Sequence, residues 1–509
     1  MPLPSKVKTL LIVPPFPERT YAGRTMSIEY LAASLIKKKF EVLTFDADVW
    51  GTAKMEKTVL EFQPNIVGIT NMSFQADIAN AIAKRIREIL PNCLIVKGGS
   101  HETCGGYQYS LGLHGEYVDI AVLGEGEKTF EEIVENWQRE QLTENLEKIN
   151  GIAFHHSNDL IRTSPRPCNM DIDTVIPLRN NHHPSYNFDI FDQKKTAQVM
   201  TIRGCTSKCF YCFESANSNP VRIRSEESLR AELEILKREK FEAIYFDTPT
   251  FTNDPAHVNM ICRLMKEYGF IWGCNTRVDA INRAMVLQMA DAGCVYIFCG
   301  VESLIPGVLL GINKTRDPEQ YILATKQAYQ WLQEAGIPRS VFLIFGGPKV
   351  EKRNGHIHYG IESKDDIEMT LRLALYELNP DFLSMNILRL LPDVPLSNGK
   401  RFSYIRPGDE EIHAGFYDAK WLEKSGKRDY RSRHDIFRAF EGRFSVNSKH
   451  MTVERCYDIL QSALKIVNEY QERVGKEVKI VVGEEFEERY ITRNYPSYKL
   501  APLNEMKEC

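Results

Sequence analysis

The chain has 509 residues, of which 43% are hydrophobic and 26% charged, with a formal net charge of −4. This composition is typical of a globular protein of two to four domains, and the charge by itself does not indicate a nucleic-acid-binding surface. No apolar run approaches the roughly 20 residues that span a membrane, and the short apolar run near the N-terminus predicts a buried strand rather than a signal peptide. We therefore expect a cytoplasmic protein that has no membrane span and binds no nucleic acid.

Residues 1–145 alternate strand and helix patterns. Five short β-branched runs, TLLIV, EVLTF, NIVGIT, CLIVKGG and VDIAVLGEGE, are separated by amphipathic stretches such as ADIANAIAKRIREIL. The pattern predicts an α/β fold with a doubly wound parallel sheet, Rossmann-like (flavodoxin-like), which binds ligands beyond the carboxyl ends of its strands. The candidate ligand contacts there are Pro15, Phe16, Thr70, Asn71, Met72, Ser73, Gly98, Gly99, His101, Gly124, Glu125 and Gly126. For any one of these loops, a simple chain turn is an equal alternative.

Three further regions follow. Residues 146–196 predict a linker with at most a small hairpin, because they are rich in proline and asparagine and lack periodicity. Residues 197–390 repeat a strand–helix pattern six times, which predicts a partial (β/α)6 barrel with its working face at the carboxyl ends of the strands. Residues 391–509 predict a mostly helical region, with the long amphipathic helix TVERCYDILQSALKIVNEYQERV.

Three cysteines, Cys205, Cys209 and Cys212, follow the first predicted barrel strand in TIRGCTSKCFYCFES. A closed zinc site needs four ligands, and neither a second cysteine pair nor a His-x-x-x-His motif lies nearby. A disulfide would leave the third cysteine unpaired. Three thiolates in one tight loop suit a cubane iron–sulfur cluster with one iron left for a non-protein ligand. The spacing favours the cluster and leaves zinc open.

The segment RGC-x3-C-x-Y-C-F after the first barrel strand closely resembles the radical S-adenosylmethionine (SAM) superfamily. The resemblance implies that the three cysteines hold a [4Fe-4S] cluster and that the iron without a cysteine ligand binds SAM. Electron transfer from the cluster would then cleave the sulfonium of SAM and give a 5′-deoxyadenosyl radical. The segments IYFDTPTFTND, CNTRVDAI, AGCVYIFCGVES and VFLIFGGPK resemble the SAM-contacting strands that follow in this family. The residues thereby implied to contact SAM are Tyr211, Asp247, Arg277, Glu302, Ser303, Phe345 and Gly346.

These assignments have structural alternatives. Asp247 could cap a strand end, Arg277 could form a local ion pair with Asp279, and Glu302 could cap a helix. The fifth-strand segment also departs from the usual Gly-Glu-Thr continuation of the family, because PKVEKRNGHIHYGIES is longer and polar. The adenine side of the site is therefore the least certain part of the resemblance.

The N-terminal region resembles the cobalamin-binding domain that is fused to one branch of these enzymes, the class B methyltransferase-like branch. The resemblance rests on PPFPERTYAGRTMSIEYLAASL, NIVGIT, LIVKGGSHET and VDIAVLGEGEKTFEEIVE. It implies cobalamin held by the twelve loop residues named above. The Asp-x-His-x-x-Gly motif is absent, so we expect no histidine on cobalt, with Asn71 or Met72 facing the lower side of the corrin and His101 at its periphery.

The two resemblances together imply a cobalamin-dependent radical SAM enzyme that methylates an unactivated carbon of a small-molecule or peptide substrate. The 5′-deoxyadenosyl radical would remove a hydrogen from the substrate, and methylcobalamin would supply the methyl group. The alternatives are cyclisation, rearrangement, oxidation or aminocarboxypropyl transfer without net methylation. A cobalamin or redox sensor is disfavoured, because residues 391–509 show no DNA-binding helix pair or basic patch.

The family expectation for an electron donor is flavodoxin or ferredoxin. A substrate pocket is expected between the carboxyl edges of the two sheets, under a roof formed by residues 391–509. Aromatic and basic residues of that roof are predicted to form a solvated surface, with a grip on an anionic or aromatic substrate as the alternative; they are Tyr417, Trp421, Tyr430, Arg431, Arg433 and His434.

Overall fold

The computed structural model describes residues 7–15, 26–72, 75–112, 116–157, 159–168, 171–179, 189–214, 220–353, 356–388 and 453–482. The candidate contacts Phe16 and Ser73 and the aromatic and basic residues between 417 and 434 lie outside these ranges. Among the described residues, no helix is both long and apolar enough to cross a membrane.

The first sheet has seven strands in the order β2-β1-β3-β4-β5-β6-β7. Strands β1 to β5 pair in parallel, and the hairpin β6–β7 extends the sheet antiparallel from β5. The strands are β1 (Lys8–Val13), β2 (Glu41–Asp46), β3 (Ile66–Thr70), β4 (Leu94–Gly98), β5 (Ile120–Val122), β6 (Ile152–His156) and β7 (Asp159–Arg162). The predicted doubly wound sheet is confirmed, and the small hairpin predicted within the linker is part of this sheet.

Helices cover both faces of this sheet. They are α1 (Met26–Lys37), α2 (Ala47–Trp50), α3 (Thr52–Phe62), α4 (Ala76–Ile89), α5 (Tyr107–Gly112), α6 (Gly126–Gln138) and α7 (Leu142–Asn145), with a π-helical turn over Glu102–Gly106. The apolar stripe Ile78, Ile82 and Ile86 of α4 is buried against one face of the sheet. The helical periodicity of the sequence therefore places these elements correctly.

The second sheet also has seven strands, in the order β18-β17-β14-β13-β12-β11-β8, all paired in parallel. They are β8 (Thr196–Val199), β11 (Ala243–Phe246), β12 (Ile271–Thr276), β13 (Cys294–Glu302), β14 (Arg339–Phe345), β17 (Phe382–Ile387) and β18 (Lys479–Val482). Two short antiparallel pairs accompany it: β9 (Ile202–Arg203) with β10 (Arg222–Ile223), and β15 (Pro348–Arg353) with β16 (His356–Ile361). Strand β18 adds a seventh strand from the region predicted as mostly helical.

The helices of the second module are α8 (Glu226–Arg238), α9 (Pro255–Tyr268), α10 (Arg283–Asp291), α11 (Pro306–Gly311), α12 (Pro318–Glu334), α13 (Lys364–Leu373) and α14 (Val453–Val474). They pack on one face of the sheet, where alternate strand residues such as Ile244, Ile297 and Val341 are fully buried. Side chains alternate across a strand, so the intervening residues face the open interior of the partial barrel. The carboxyl ends of both parallel sheets bound the site.

Candidate functional site

A cavity of about 860 Å³ lies between the carboxyl ends of the two sheets. Its barrel wall contains Cys205, Cys209, Cys212, Tyr211, Asp247, Arg277 and Glu302. Its first-sheet wall contains Thr70, Gly98, Gly99, Gly124, Glu125 and Gly126. Residues from both predicted sites therefore line the same cavity.

The three cysteines lie on the loop that leaves β9. Gly204 turns this loop with a left-handed φ of 83°. The Cys205 sulfur accepts the backbone N–H of Ser207 at 3.4 Å and lies 3.5 Å from the Thr250 hydroxyl. All three cysteines are free thiols. The tight turn brings three sulfur donors to the same cavity.

The thiols are surrounded by cationic and backbone donors. Arg277 Nη1 donates to the Cys209 sulfur at 3.4 Å. Burial raises the pKa of the Cys209 thiol, and Lys314 and Arg277 oppose that effect. Burial raises the pKa of Cys212 to about 12, against a backbone hydrogen bond from Glu214. Binding of iron by these two cysteines would displace the thiol protons, because the thiolate is the ligand.

The sulfur donors fit a cluster. No group of three or more His, Cys, Asp or Glu side chains within the described ranges converges on one metal ion. A cubane cluster does not require such convergence, because each thiolate binds a different iron. Sulfur-only donation in a loop with N–H donors suits iron–sulfur chemistry.

Glu302 ends β13 with a left-handed φ of 67°. One carboxylate oxygen, Oε1, accepts Tyr211 OH at 3.0 Å and Lys314 Nζ at 2.9 Å. The other oxygen, Oε2, is buried and has no hydrogen-bond partner among the described residues. A Cβ at Gly300 would lie 2.4 Å from Glu302 Oε1, so this carboxylate needs glycine beside it. A strained backbone and a buried, half-satisfied carboxylate are typical of a ligand-binding position.

Asp247 and Arg277 differ in how they are satisfied. Asp247 follows β11 and is partly buried, and burial raises its pKa. Its carboxylate makes no hydrogen bond or ion pair with residues that the structure describes. Arg277 instead donates to Asp279 at 2.7 Å and to the Lys314 carbonyl at 2.7 Å. The local ion pair considered as an alternative for Arg277 is therefore present, together with its contact to Cys209.

The structure does not bring Ser303, Phe345 or Gly346 to the cavity wall. The Ser303 hydroxyl lies 3.3 Å from the Thr370 hydroxyl and accepts the Ile305 N–H. Phe345 is fully buried in the core between sheet and helices. These residues support the ends of β13 and β14 from behind.

The unusual continuation after Gly346-Gly347 is an inserted hairpin. The β15–β16 hairpin leaves after Gly347 and returns at Glu362, whose backbone N–H donates to the Gly347 carbonyl at 2.9 Å. Glu362 Oε2 accepts the Gly346 N–H at 2.7 Å. Ser363 then caps α13 in a capping box with Asp366. Gly346 and Gly347 are therefore adjacent in space to Glu362 and Ser363, although the hairpin separates the two pairs in the sequence.

Sequence reasoning missed Glu362. Burial raises its pKa to about 8, against hydrogen bonds from the two glycine amides. The hairpin that separates it from Gly347 packs tightly on α11, because a Cβ at Gly311 would lie 2.0 Å from the Pro348 carbonyl oxygen. The sequence signal that could have indicated Glu362 is its position next to Ser363, which caps the amphipathic helix α13.

The first-sheet wall is made of backbone and small side chains. A Cβ at Gly124, where φ is 81°, would meet no atom within 4 Å. Gly124 therefore borders open space, where a ligand can approach the backbone closely. Gly99 differs, because a Cβ there would lie 2.5 Å from the Asn71 carbonyl oxygen. Packing against the end of β3, rather than access for a ligand, requires glycine at position 99.

Four of the candidate cobalamin contacts lie behind this wall. Asn71 and His101 are 2% and 1% exposed, and the His101 N–H donates to the Asn71 carbonyl at 3.3 Å. Burial lowers the pKa of His101 to about 4, so its ring is neutral. Met72 packs against the apolar core, and Pro15 is partly buried. None of the four lines the cavity.

Ion pairs connect the two walls. Arg203 and Arg222 are directly opposite each other across β9 and β10. Arg222 Nη1 donates to Glu125 Oε2 at 3.0 Å, and Arg203 Nη2 donates to Glu127 Oε1 at 2.6 Å. Both carboxylates lie at the N-terminus of α6, where negative charge is favourable. The carboxylate of Glu125 therefore holds the cysteine-bearing ribbon against the first sheet.

Two protein families match the chain. The Radical SAM superfamily matches residues 199–356, and the B12 binding domain matches residues 18–134. The first range contains the cysteine loop and strands β9 to β15. The second contains the strands whose loops form the glycine wall.

Several curated relatives are similar over most of the chain. An uncharacterized methyltransferase of Pyrococcus horikoshii is 28% identical over 77% of this chain and 82% of its own length. An anaerobic magnesium-protoporphyrin IX monomethyl ester cyclase of Cereibacter sphaeroides is 26% identical over 72% of this chain and 59% of its own. A cytidylyl-2-hydroxyethylphosphonate methyltransferase of Streptomyces wedmorensis is 24% identical over 64% of this chain and 69% of its own.

Solved structures share the fold. The radical SAM methyltransferase TsrM from Kitasatospora setae, with cobalamin and a [4Fe-4S] cluster bound, superposes with a TM-score of 0.63 at 17% identity. The match covers 77% of each chain. The cobalamin-dependent radical enzyme OxsB superposes with a TM-score of 0.58 at 18% identity, over 83% of this chain and 56% of its own. These likenesses confirm the α/β architecture.

Proposed function

We propose that this chain, a cobalamin-dependent radical SAM enzyme, methylates an unactivated carbon of a small-molecule or peptide substrate. Its cofactors are a [4Fe-4S] cluster, SAM and cobalamin. The observation that carries the proposal is the single cavity walled by the three cysteines on one side and by the glycine loops on the other. Relatives named as methyltransferases support transfer of a methyl group as the net reaction.

On the barrel side, we assign the cluster to Cys205, Cys209 and Cys212. The Arg277 guanidinium stabilises the thiolate of Cys209, which it contacts at 3.4 Å. Tyr211 and Glu302 are assigned to SAM, since Glu302 Oε2 is a buried acceptor without a partner among the described residues. In this proposal Ser303, Phe345 and Gly346 act indirectly, by fixing the strand ends, and Asp247 contacts SAM or a co-bound ligand.

On the first-sheet side, Thr70, Gly98, Gly124 and Gly126 are assigned to the cobalamin face. Small residues allow the backbone to approach a large planar ring closely. Gly99, Asn71, Met72, His101 and Pro15 are assigned a supporting role, and Glu125 acts through its arginine partners. When bound, the cluster with SAM would supply a 5′-deoxyadenosyl radical and the cobalamin would supply a methyl group. The chain's own part is to hold both sites on one cavity and exclude water.

A reductant is required, and a flavodoxin- or ferredoxin-type protein is our proposal for it. Radical SAM chemistry consumes an electron for each SAM that is cleaved. The cysteine loop contains the exposed residues Thr206 and Lys208, so the cluster site lies near the protein surface. An external one-electron donor can therefore approach it.

A second candidate is a radical reaction without net methylation. Relatives named as magnesium-protoporphyrin monomethyl ester cyclases favour it. The same cavity residues would serve, because ring closure also begins with hydrogen abstraction from carbon. Only the product distinguishes the two candidates.

The test begins with anaerobic reconstitution of the full chain with iron, sulfide and hydroxocobalamin, followed by desalting and metal analysis. We expect iron and sulfide in the ratio of a [4Fe-4S] cluster and cobalt equimolar with the chain. The loaded protein is then incubated with SAM labelled on its methyl group, a reductant and extract of the source cells. A labelled product one methyl group heavier than its precursor supports methylation. Turnover to 5′-deoxyadenosine with no labelled product favours the second candidate, and the absence of cobalt contradicts both cobalamin-dependent readings.

A further inference from the structure

The segment of residues 171–179, predicted as part of a linker, is packed between the two modules. Val175 is buried in a small apolar cluster with Tyr30 of α1. The N–H of Ser225, which caps the N-terminus of α8, donates to Asp173 Oδ1 at 2.9 Å. The segment therefore contacts a helix of each module.

Arg179, at the end of this segment, is 6% exposed. Its Nη1 donates to Glu29 Oε2 on α1 at 3.4 Å, and its Nε donates to Glu232 Oε1 on α8 at 2.9 Å. Its Nη2 donates to the carbonyl of Gln198 on β8 at 2.6 Å. One guanidinium therefore joins a helix of the first module to a helix and a strand of the second.

Glu232 also accepts a hydrogen bond from the Arg224 guanidinium, so two arginines and two glutamates balance in charge. Arg224 follows β10, the strand that pairs with β9 before the cysteine loop, and its N–H donates to the Thr201 carbonyl at 3.0 Å. The four charged side chains are at most 4% exposed. Burial would raise the pKa of Glu232, but Arg179 and Arg224 outweigh it and hold the pKa below its usual value. The Glu232 carboxylate is therefore charged and held from two sides.

This buried network lies behind both walls of the cavity. Ser27 and Tyr30 of α1 line the cavity, and the Ser27 hydroxyl lies 3.1 Å from that of Thr70 on the first-sheet wall. Met200 and Ile202, which lead into the cysteine loop, line the cavity from the other side. A change in how α1 packs against α8 would therefore change the separation of the two walls.

The chemistry of the network suits it to fixing a distance. A buried ion pair adds little net stability, because desolvation offsets most of the attraction. Its geometry is specific, however, because the planar guanidinium sets the direction of each carboxylate that it contacts. The ion pairs of Glu125 with Arg203 and Arg222 also join the modules, but their side chains are 12–18% exposed. The Arg179 network is the more deeply buried of the two connections.

We infer that Arg179 is a positioning residue, which fixes the separation of the cobalamin and cluster sites by holding α1 against α8 through Glu29 and Glu232. The inference rests on the proposed function, since that separation matters for the reaction only when both cofactors are bound. Hydrogen abstraction and methyl transfer must reach the same substrate carbon from two cofactors, and a misplacement of about 1 Å can lower a rate about 100-fold.

The test measures the distance between the reduced cluster and cob(II)alamin, both of which are paramagnetic, by pulsed electron paramagnetic resonance of the loaded full chain. The main variant, E29Q/R179M, removes one charge of each sign and leaves the ion pair of Arg224 with Glu232 in place. Its distance distribution should be shifted or at least about twofold broader than that of the wild type, because modules without a fixed contact move relative to each other. R179K keeps the charge but loses the planar fork, so its change should be intermediate.

The matched control is R166M. Arg166 lies in the same predicted linker, and within the described ranges its hydrogen bonds go to Thr129, Glu132 and Asn150 of the first module. R166M therefore removes a partly buried ion pair without affecting a contact between the modules, and it should keep the wild-type distribution. A wild-type distribution in E29Q/R179M, or equal broadening in R166M, would overturn the inference. If the double variant does not fold, an unchanged distribution in R179K overturns it.

Iron and cobalt are measured in the same samples, so that a failure of the proposed function is recorded separately. If the chain does not retain cobalt, the proposed function is contradicted, and small-angle X-ray scattering by the cofactor-free chain tests the role of Arg179 in holding the modules together. A larger radius of gyration in E29Q/R179M than in the wild type and R166M supports that role, and equal radii overturn it.

Discussion

The barrel wall of the cavity presents sulfur and charged side chains, whereas the first-sheet wall presents glycine backbone and small hydroxyls. Glu302, Lys314 and Tyr211 form a buried network on the barrel wall, with distances of 2.9 and 3.0 Å to one carboxylate oxygen. Across the cavity, Gly124 leaves open space where a side chain would project. In our proposal, one wall recognises its ligand by specific polar atoms and the other by shape.

Because of this difference, we expect the two walls to respond differently to substitution. In a buried polar network the interaction energy comes from a few atoms. Replacing one charged side chain therefore leaves the opposite charge buried without a partner. A backbone wall spreads its contacts over many atoms, and each glycine there also has a local structural role. The predictions below test that contrast.

The largest effect is expected from the cysteines. Cys209→Ala should abolish the visible absorbance of the reconstituted cluster and all formation of 5′-deoxyadenosine, because the replaced thiol is an iron ligand in our assignment. Cobalamin retention should persist, since the substitution does not touch the first-sheet wall. Cys168→Ala removes a partly buried cysteine outside the cavity and serves as the matched control. A cluster of normal intensity in the Cys209 variant would contradict the ligand assignment.

The next effect concerns the buried network. Glu302→Gln leaves Lys314 buried without its counter-ion, which should cost about 3 kcal/mol of stability. Urea unfolding of the protein without cofactors measures this cost, and dialysis against SAM measures the accompanying loss of affinity. Glu319→Gln, an exposed carboxylate on α12, is the matched control. Stability and SAM affinity both equal to those of the control would rule out the assigned role.

A smaller effect is expected at the first-sheet wall. Gly99→Ala places a Cβ 2.5 Å from the Asn71 carbonyl at a φ of 108°. The strain and the clash should together cost about 1–3 kcal/mol and lower cobalt retention, while iron content stays unchanged. Gly51→Ala is matched for positive φ, at 78°, but its Cβ would meet nothing within 4 Å. Equal destabilisation of the two variants would show that backbone strain alone, and not packing on Asn71, requires glycine.

The sequence was most informative where a chemical group and a strand end coincide. The cysteines, Tyr211, Asp247, Arg277 and Glu302 were placed by motif order along a parallel barrel, and all of them line the cavity. Parallel strands bring their carboxyl ends to one edge, so motif order alone predicts that such residues meet. The five parallel strands of the first sheet followed from periodicity in the same way, whereas the hairpin that extends it to seven strands was expected within the linker.

Burial and long-range pairing were not available from the sequence. A Gly-Gly-Ser-His loop gives no sign that His101 points into the core, at 1% exposure, rather than towards the cavity. Strand β18 pairs with β17 across nearly a hundred residues of chain, and the ion pair of Glu125 with Arg222 joins two separate modules. Such contacts depend on the three-dimensional arrangement and have no local pattern. The contact of Glu362 with Gly346 and Gly347 could not be predicted either, because the β15–β16 hairpin separates these residues in the sequence.

The smallest expected effect is a change in pH dependence at Glu362. Burial raises its pKa from 4.5 to about 8, so the folded state favours the neutral carboxyl. The stability that this group contributes is complete below pH 4.5 and is lost as the pH rises through about 8. Glu362→Gln is neutral at every pH, and its amide oxygen can still accept the Gly346 N–H. The thermal midpoint of the variant should therefore match that of the wild type below about pH 4.5, exceed it by a margin that grows as the pH rises towards 8, and keep a constant margin above that.

The matched control for that measurement is Glu144→Gln, an exposed carboxylate on α7, whose midpoint should follow the wild type across the whole range. If the midpoints of the Glu362 and Glu144 variants both run parallel to the wild type between pH 4.5 and 8, the Glu362 carboxyl is ionised in the folded protein. The amides of Gly346 and Gly347 would then hold a buried carboxylate at the end of β14. That outcome would place a buried charge at the end of β14, whereas the expected outcome leaves the amides of Gly346 and Gly347 paired with a neutral carboxyl.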